Sequence, residues 1–287
     1  MSEKNKGIFY IILAALCFSL MSLFVRLSGD IPSMQKSLFR NLVALVFSVF
    51  ILWKQKIPFR AGKGNTTYLI LRSVFGTLGI FCNFYAIDHL ALSDANMLNK
   101  LSPFFAIIFS YFLLREKAAF YQIICVITAF IGTLFILRPG FDSMITFPAL
   151  VGLLGGLGAG VAYTMVRILS GRGVKGPFIV FFFSAFSCLA ALPFCIMDYT
   201  PMEPWQIGCL LLAGLAASGG QFSITAAYSH APAKEISVYD YTQIIFSSLW
   251  GILFLEEFPD WISITGYVII FGASFAMFLI RQRKEAK

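Results

Sequence analysis

Residues 7–27 read GIFYIILAALCFSLMSLFVRL, with a single basic residue near the end and no acidic one. At ~1.5 Å per residue a helix of this length matches the ~30 Å hydrocarbon core of a bilayer. The run is too long for the apolar region of a cleaved leader, and no small-residue cleavage site follows it. It reads as a first membrane span. Comparable runs recur near 34–53, 67–87, 93–114, 119–137, 148–169, 177–197, 206–228, 234–255 and 261–280, joined by short polar connections. Hydrophobic residues make up 59% of the chain and charged residues 13%, and Phe occurs 32 times. A soluble domain carries ~25% charged residues and could not hide so much apolar surface. The ~10-residue alternating segments of a β-barrel are absent. The fold class expected is an all-α membrane protein of ten transmembrane helices.

Lys and Arg set the orientation. In this threading one side receives fifteen of them: Lys4, Lys6, Lys54, Lys56, Arg60, Lys63, Arg115, Lys117, Arg172, Lys175, Lys234, Arg281, Arg283, Lys284 and Lys287. The other side receives Arg138 alone. Both termini are therefore expected in the cytoplasm, with the chain in the plasma membrane (the inner membrane of a bacterium). The net charge of +8 is then a topology signal. No soluble basic face remains to bind nucleic acid, and the Asn65 sequon faces the wrong side for glycosylation. The six cysteines all fall within spans and form no CxxC pair, so neither a disulfide framework nor a metal site is indicated.

Shifting the chain by 141 residues superposes its two halves without gaps. Val25-Arg26 falls on Val166-Arg167, Gly79 on Gly220, Ala86 and His89 on Ala227 and His230, Phe105 on Phe246, and Leu114 and Glu116 on Leu255 and Glu257. One offset that pairs His, Arg and Glu across four helices indicates a duplication, with units 1–141 and 142–287. Each unit has five spans, an odd number, so the second must start on the opposite side from the first. The halves are expected to be inverted copies around a central cavity, the arrangement that lets a secondary transporter exchange outward-open and inward-open states.

Over essentially its whole length the sequence resembles the drug/metabolite transporter superfamily, EamA type. The resemblance rests on Arg40 before the apolar run of span 2, Leu71-Arg72 through Gly76 in span 3, and Phe84-Tyr85-Ala86 before a short loop. It rests also on Ser102-Pro103-Phe104-Phe105 in span 4, on Arg115-Glu116-Lys117 at its end, and on Glu256-Glu257 after span 9. It implies ten helices, a cavity between the halves, and alternating access, with no particular substrate. Phe181 and Ala213 stand where Arg40 and Arg72 would recur, so the cavity is chemically unequal.

An ionisable residue within a span is expensive and usually faces a cavity or a partner. Arg40 and Lys100 each lie six or seven residues in from the outer side, roughly 10 Å deep. Asn96, Lys100 and Pro103 share one face of span 4, with Asn99 at its edge. They read as an anion-attracting wall, against the plainer reading of snorkelling toward headgroups. Arg72, Gly76, Gly79 and Asn83 form a stripe on span 3. Asp240 shares a face of span 9 with Gln243 and lies in the cytoplasmic half, where a static pair with Arg72 is the plain expectation. A carboxylate at that depth can also take up and release a proton, which makes Asp240 the coupling candidate. Tyr85, Tyr163, Gln221 and Tyr239 complete the expected cavity lining. Arg26 and Arg167, near helix ends, are expected to snorkel. Gly152, Gly156 and Gly160 form a ridge read as helix packing, and Pro103 is read as a hinge within span 4.

No nucleotide-binding loop, metal cluster or catalytic constellation appears, and no cofactor is implied. The function expected is secondary active transport of a small organic metabolite, driven by a proton or a counter-substrate. The excess of basic residues tilts it toward anionic or zwitterionic solutes. The alternative is an exporter of amino acids or amphipathic drug-like compounds that uses the aromatic lining. One chain carries both halves, so nothing in it demands a second copy.

Overall fold

The computed structural model describes residues 2–62, 64–89, 98–137, 147–255 and 260–285. Among these there is no strand. The helices are α1 (Glu3–Leu27), α2 (Ser33–Lys54), α3 (Thr66–His89), α4 (Ser102–Leu114), α5 (Phe120–Leu137), α6 (Phe147–Gly171), α7 (Gly176–Met197), α8 (Pro204–His230), α9 (Thr242–Leu255) and α10 (Trp261–Glu285). A helical turn (Ala233–Ile236) and a 3-10 segment (Ser237–Tyr241) precede α9. Six helices, α1, α2, α6, α7, α8 and α10, are long and apolar enough among the described residues to cross a membrane.

Lipid offers the backbone no hydrogen bonds, so an apolar run in it must close its own ladder as a helix. The ends follow local chemistry. The Ser2 hydroxyl accepts from Asn5 N–H at the start of α1. Glu203 and Gln206 form a reciprocal capping box at the start of α8. Arg115, in the left-handed region at φ 57°, ends α4.

The bundle is apolar outside, and its interior mixes apolar side chains with many small and polar ones. Phe112, Leu189 and Phe271 are largely exposed, while Ser37, Ser48, Thr133, Thr164, Ser184 and Ser187 are buried. Without a hydrophobic drive between helices, close packing of small residues holds such a bundle together. The glycine ridge of α6 does this. A Cβ on Gly156 would fall 2.7 Å from the Leu98 carbonyl, and one on Gly160 2.5 Å from Phe105 Cβ. Gly79 of α3 crosses α6 at Gly155, Gly158 and Ala159.

Most major contacts run between the halves, and they come in pairs. α1 lies along α8 as α3 lies along α6; α2 meets α8 as α3 meets α7; α4 meets α6 as α9 meets α1. α2 packs on α7 and α5 on α10, which are counterparts under the 141-residue shift. The correspondence reaches single residues. Gly79 meets Ala159, and their counterparts Gly220 and Phe18 meet in turn.

Two spans differ from the expected continuous helices. The chain turns at Lys100 and Leu101, and α4 starts only at Ser102. Pro103 thus sits in the first helical turn, where its missing N–H costs nothing, and it is not a mid-helix hinge. The ninth span is broken at Ser237–Tyr241.

Candidate functional site

The two breaks face each other. The turn carries Lys100 and the 3-10 segment carries Asp240, and both residues are buried. Lys100 Nζ lies 3.2 Å from Asp240 Oδ2. It also donates to Gln243 Oε1 at 2.8 Å and to the Asp240 carbonyl at 3.3 Å. The Tyr241 hydroxyl donates to the Lys100 carbonyl at 3.0 Å. Tyr241 is the counterpart of Lys100 under the 141-residue shift, so a residue and its own copy touch here. That places the ion pair where the two halves meet. Irregular backbone at membrane depth is stable only inside protein or along a cavity.

Asp240 therefore pairs with Lys100, not with Arg72 as its depth suggested. A long lysine side chain closes the gap between the two breaks. A 3-10 segment also rises ~2 Å per residue and so carries Asp240 deeper than an α-helix would. Arg72 packs on an aromatic ring instead. Its guanidinium lies over the Phe183 ring of α7, with Cζ 4.0 Å from the centroid. Gly76, one turn along, makes the room: a Cβ there would collide with Arg72 Nη1 and fall 2.8 Å from the Phe183 ring.

Tyr163 of α6 packs against a second tyrosine. Its ring stacks on Tyr228 of α8 at 4.9 Å. Arg40, half-buried on α2, has its Cζ 6.0 Å from the Phe18 ring. Gln221 is buried, and its Nε2 has no hydrogen-bond partner among the described residues. Asn83 Oδ1 is likewise without one. Tyr239 is buried beside Asp240 in the 3-10 segment. The carbonyl of Asn99 faces Gly156.

The structure thus joins Lys100, Asp240 and Gln243 directly, while Tyr163, Arg40 and Arg72 each pack on an aromatic ring. It does not join Tyr85 to them. That ring stacks on His89 at 4.0 Å and edges onto the exposed Phe147. Asn96, Glu256, Glu257 and Arg138 lie outside the described residues. Arg167 does not snorkel: its Nε is 3.3 Å from Glu116 Oε1, and its Nη1 donates to the Ser229 carbonyl. Tyr228 and Tyr241 are not among the residues the sequence singles out, and the 141-residue offset, which pairs Tyr241 with Lys100, is the signal that points to the second. Two surface clefts lie away from this cluster, one of about 650 Å³ beside Trp53 and Phe59 and one of about 310 Å³ beside Arg60 and Lys175. Among the described residues no group of His, Cys, Asp and Glu could hold a metal ion.

The EamA-like transporter family model matches this chain twice, over residues 5–138 and 146–279. The chain belongs to the EamA-like transporter family. It is a multi-pass membrane transporter. Among its relatives is the pseudopaline exporter CntI of Pseudomonas aeruginosa, 34% identical over 277 residues that cover 95% of this chain and 96% of the exporter. Solute carrier family 35 member G1 of Homo sapiens is 26% identical over 290 residues, covering 93% of this transporter and 77% of that protein. A protein solved by crystallography shares the fold at a TM-score of 0.80 with 16% identity, covering 96% and 98% of the two chains. The two family matches fall on the two halves that the 141-residue offset relates.

Proposed function

We propose that this transporter is a secondary carrier moving a small organic anion or zwitterion across the plasma membrane. In this reading residues 1–141 and 142–287 are inverted five-helix halves, both termini are cytoplasmic, and the halves rock about the buried cluster. The observation that carries the proposal is the Lys100–Asp240 pair between two helix breaks, at a point where Lys100 touches its own counterpart, Tyr241. Discontinuous helices at the midplane, one from each half, are where secondary transporters hold solutes and coupling ions.

The pair also suggests how driving force enters. A proton on Asp240, or a substrate carboxylate on Lys100, would break the bridge. Each event loosens the contact between the halves, so solute and proton, or solute and counter-solute, compete for one lock. The chain carries no nucleotide-binding loop, and a gradient or exchange must supply the energy. No catalytic step is part of this reading.

The direction we favour is export, since a relative matched end to end at 34% identity is named as an exporter. The stacked Tyr163–Tyr228 rings also suit amphipathic solutes or amino acids, the second reading. Counterflow in proteoliposomes tests the carrier. Saturable uptake against an internal pool, lost in the Lys100→Met variant, is expected. Unitary currents without counterflow would make the protein a channel and refute the proposal.

A further inference from the structure

The α2–α7 pair has a junction at each end, and the 141-residue offset relates the two. They are built differently. Where α2 begins, Gln35 Nε2 donates to the Thr200 carbonyl at 2.9 Å, and Thr200 N–H donates back to Gln35 Oε1 at 3.1 Å. Gln206 Nε2 adds a bond to the Ser28 carbonyl at 3.1 Å. Where α7 begins, the counterparts of Gln35 and Thr200 are Gly176 and Phe59, and a glycine has no side chain to make such bonds. This junction opens instead into the cleft of about 310 Å³. Arg60, Arg172 and Lys175 line it together with Ile57 and the buried Phe178, and no acidic side chain among the described residues does. The counterparts of the three basic residues are Pro201, Ile31 and Met34, so the charge belongs to this end alone.

The cleft is built from fixed parts. Arg172 Nη2 donates to the Tyr68 hydroxyl at 3.1 Å, and its Cζ lies 4.3 Å from the centroid of that ring. The bond uses one of the five donors of a guanidinium. Phe59 edges onto Phe181 of α7 at 5.1 Å, which ties the connection after α2 to α7. Ile57 is also a wall of the second cleft, of about 650 Å³, which holds Leu52, Phe59 and Trp53, the last 75% exposed. A cationic cleft thus shares a wall with a larger apolar one.

We propose that this junction binds an anionic phospholipid, with its phosphodiester at Arg60, Arg172 and Lys175 and an acyl chain against Trp53, Ile57 and Phe59 in the neighbouring cleft. The fork of a guanidinium matches the oxygens of a phosphate. Basic pockets between membrane helices collect anionic headgroups, and tryptophan favours the membrane–water boundary. Arg60 belongs to the first half and Arg172 and Lys175 to the second, so one lipid spans both halves. The orientation proposed above makes the leaflet the cytoplasmic one; binding itself does not depend on it.

The purified full-length chain in a neutral detergent is titrated with phosphatidylglycerol and with phosphatidylcholine of the same acyl chains, and bound lipid is counted by native mass spectrometry. A basic side chain near an anionic headgroup is worth roughly 5-fold in affinity, so the parent should prefer phosphatidylglycerol by on the order of 10–100-fold. Arg60→Gln, Arg172→Gln and Lys175→Gln should each lose roughly 5-fold of that preference and leave phosphatidylcholine binding unchanged. Arg283→Gln removes the same charge from α10, where it lines neither cleft, and should change the preference by less than about 2-fold. An equal loss in Arg283→Gln would make the charge a topology signal only and overturn the site. Displacement of the lipid by excess inorganic phosphate or glycerol 3-phosphate would assign the cleft to a soluble phosphate and overturn it too. Equal binding of the two lipids by the parent overturns it whatever the variants do. Lipid preference without counterflow would refute the carrier and leave this site standing; counterflow with no lipid preference would do the opposite.

Discussion

Replacing Asp240 with Asn removes one charge from the buried pair and keeps the shape. Two unit charges 3.2 Å apart attract by ~5 kcal/mol at an effective dielectric of ~20. Not all of that is lost. Lys100 keeps Gln243 Oε1 at 2.8 Å and the residue-240 carbonyl at 3.3 Å, and an Asn amide oxygen still accepts. What remains is an ammonium without a counter-charge, and breaking a buried pair this way typically costs ~3–5 kcal/mol. The retained acceptors put the expected loss at the low end, ~3 kcal/mol, or a melting temperature lower by about 5–10 °C. Pairing Asp240→Asn with Lys100→Met should recover at least half of the loss, since neither charge is then buried. Thermal unfolding of the parent, both single variants and the double variant in detergent measures this cycle. If Asp240→Asn melts within about 1 °C of the parent, or if the two single losses simply add, the pair is not the buried contact described and the reasoning fails.

Gly158→Ala should cost ~1–3 kcal/mol by overpacking, because its Cβ would fall 2.7 Å from the Phe75 carbonyl; unfolding temperature reads this, and a neutral result contradicts the α3–α6 crossing. Tyr241→Phe removes the hydrogen bond to the Lys100 carbonyl and should cost ~1 kcal/mol in stability, with a slower counterflow rate if the contact helps fix the lock; unchanged stability would show that the bond is not made. Phe112→Leu, on a side chain 72% exposed on the outer surface of the bundle, should leave both stability and counterflow within ~0.5 kcal/mol of the parent. A larger effect would mean that α4 does not turn this face to lipid.

The spans were legible because their signal is averaged over about twenty residues, and the repeat because one offset matched His, Arg and Glu at once. The edges of α1, α2, α7 and α10 fall within a few residues of the apolar runs that announced them. The glycine ridge of α6 was legible as packing, since small residues one turn apart have few other uses in lipid. What the sequence hid was irregular backbone. Residues 237–241 carry Val and two tyrosines, which suit a helix as readily as a 3-10 segment, so span 9 read as continuous. The Lys100–Asp240 pairing was hidden for the same reason, because depth counted at a uniform rise per residue put the two on different levels. Arg72 was misassigned because nothing in its own helix announces Phe183, which is brought over it by α7 from across the bundle. Gly76 was noticed as part of a stripe, but its purpose appears only once the guanidinium is seen to occupy its space.

The account depends on the two halves lying upside down with respect to each other. Arg60 and Glu203 lie in exposed connections that correspond under the repeat to within two residues. In a version of the protein without its native cysteines, each is replaced by Cys in turn and labelled with a membrane-impermeant maleimide in right-side-out vesicles. The inverted arrangement predicts that Glu203→Cys reacts at once and Arg60→Cys only after the membrane is opened. Labelling of both positions from the same side would contradict it.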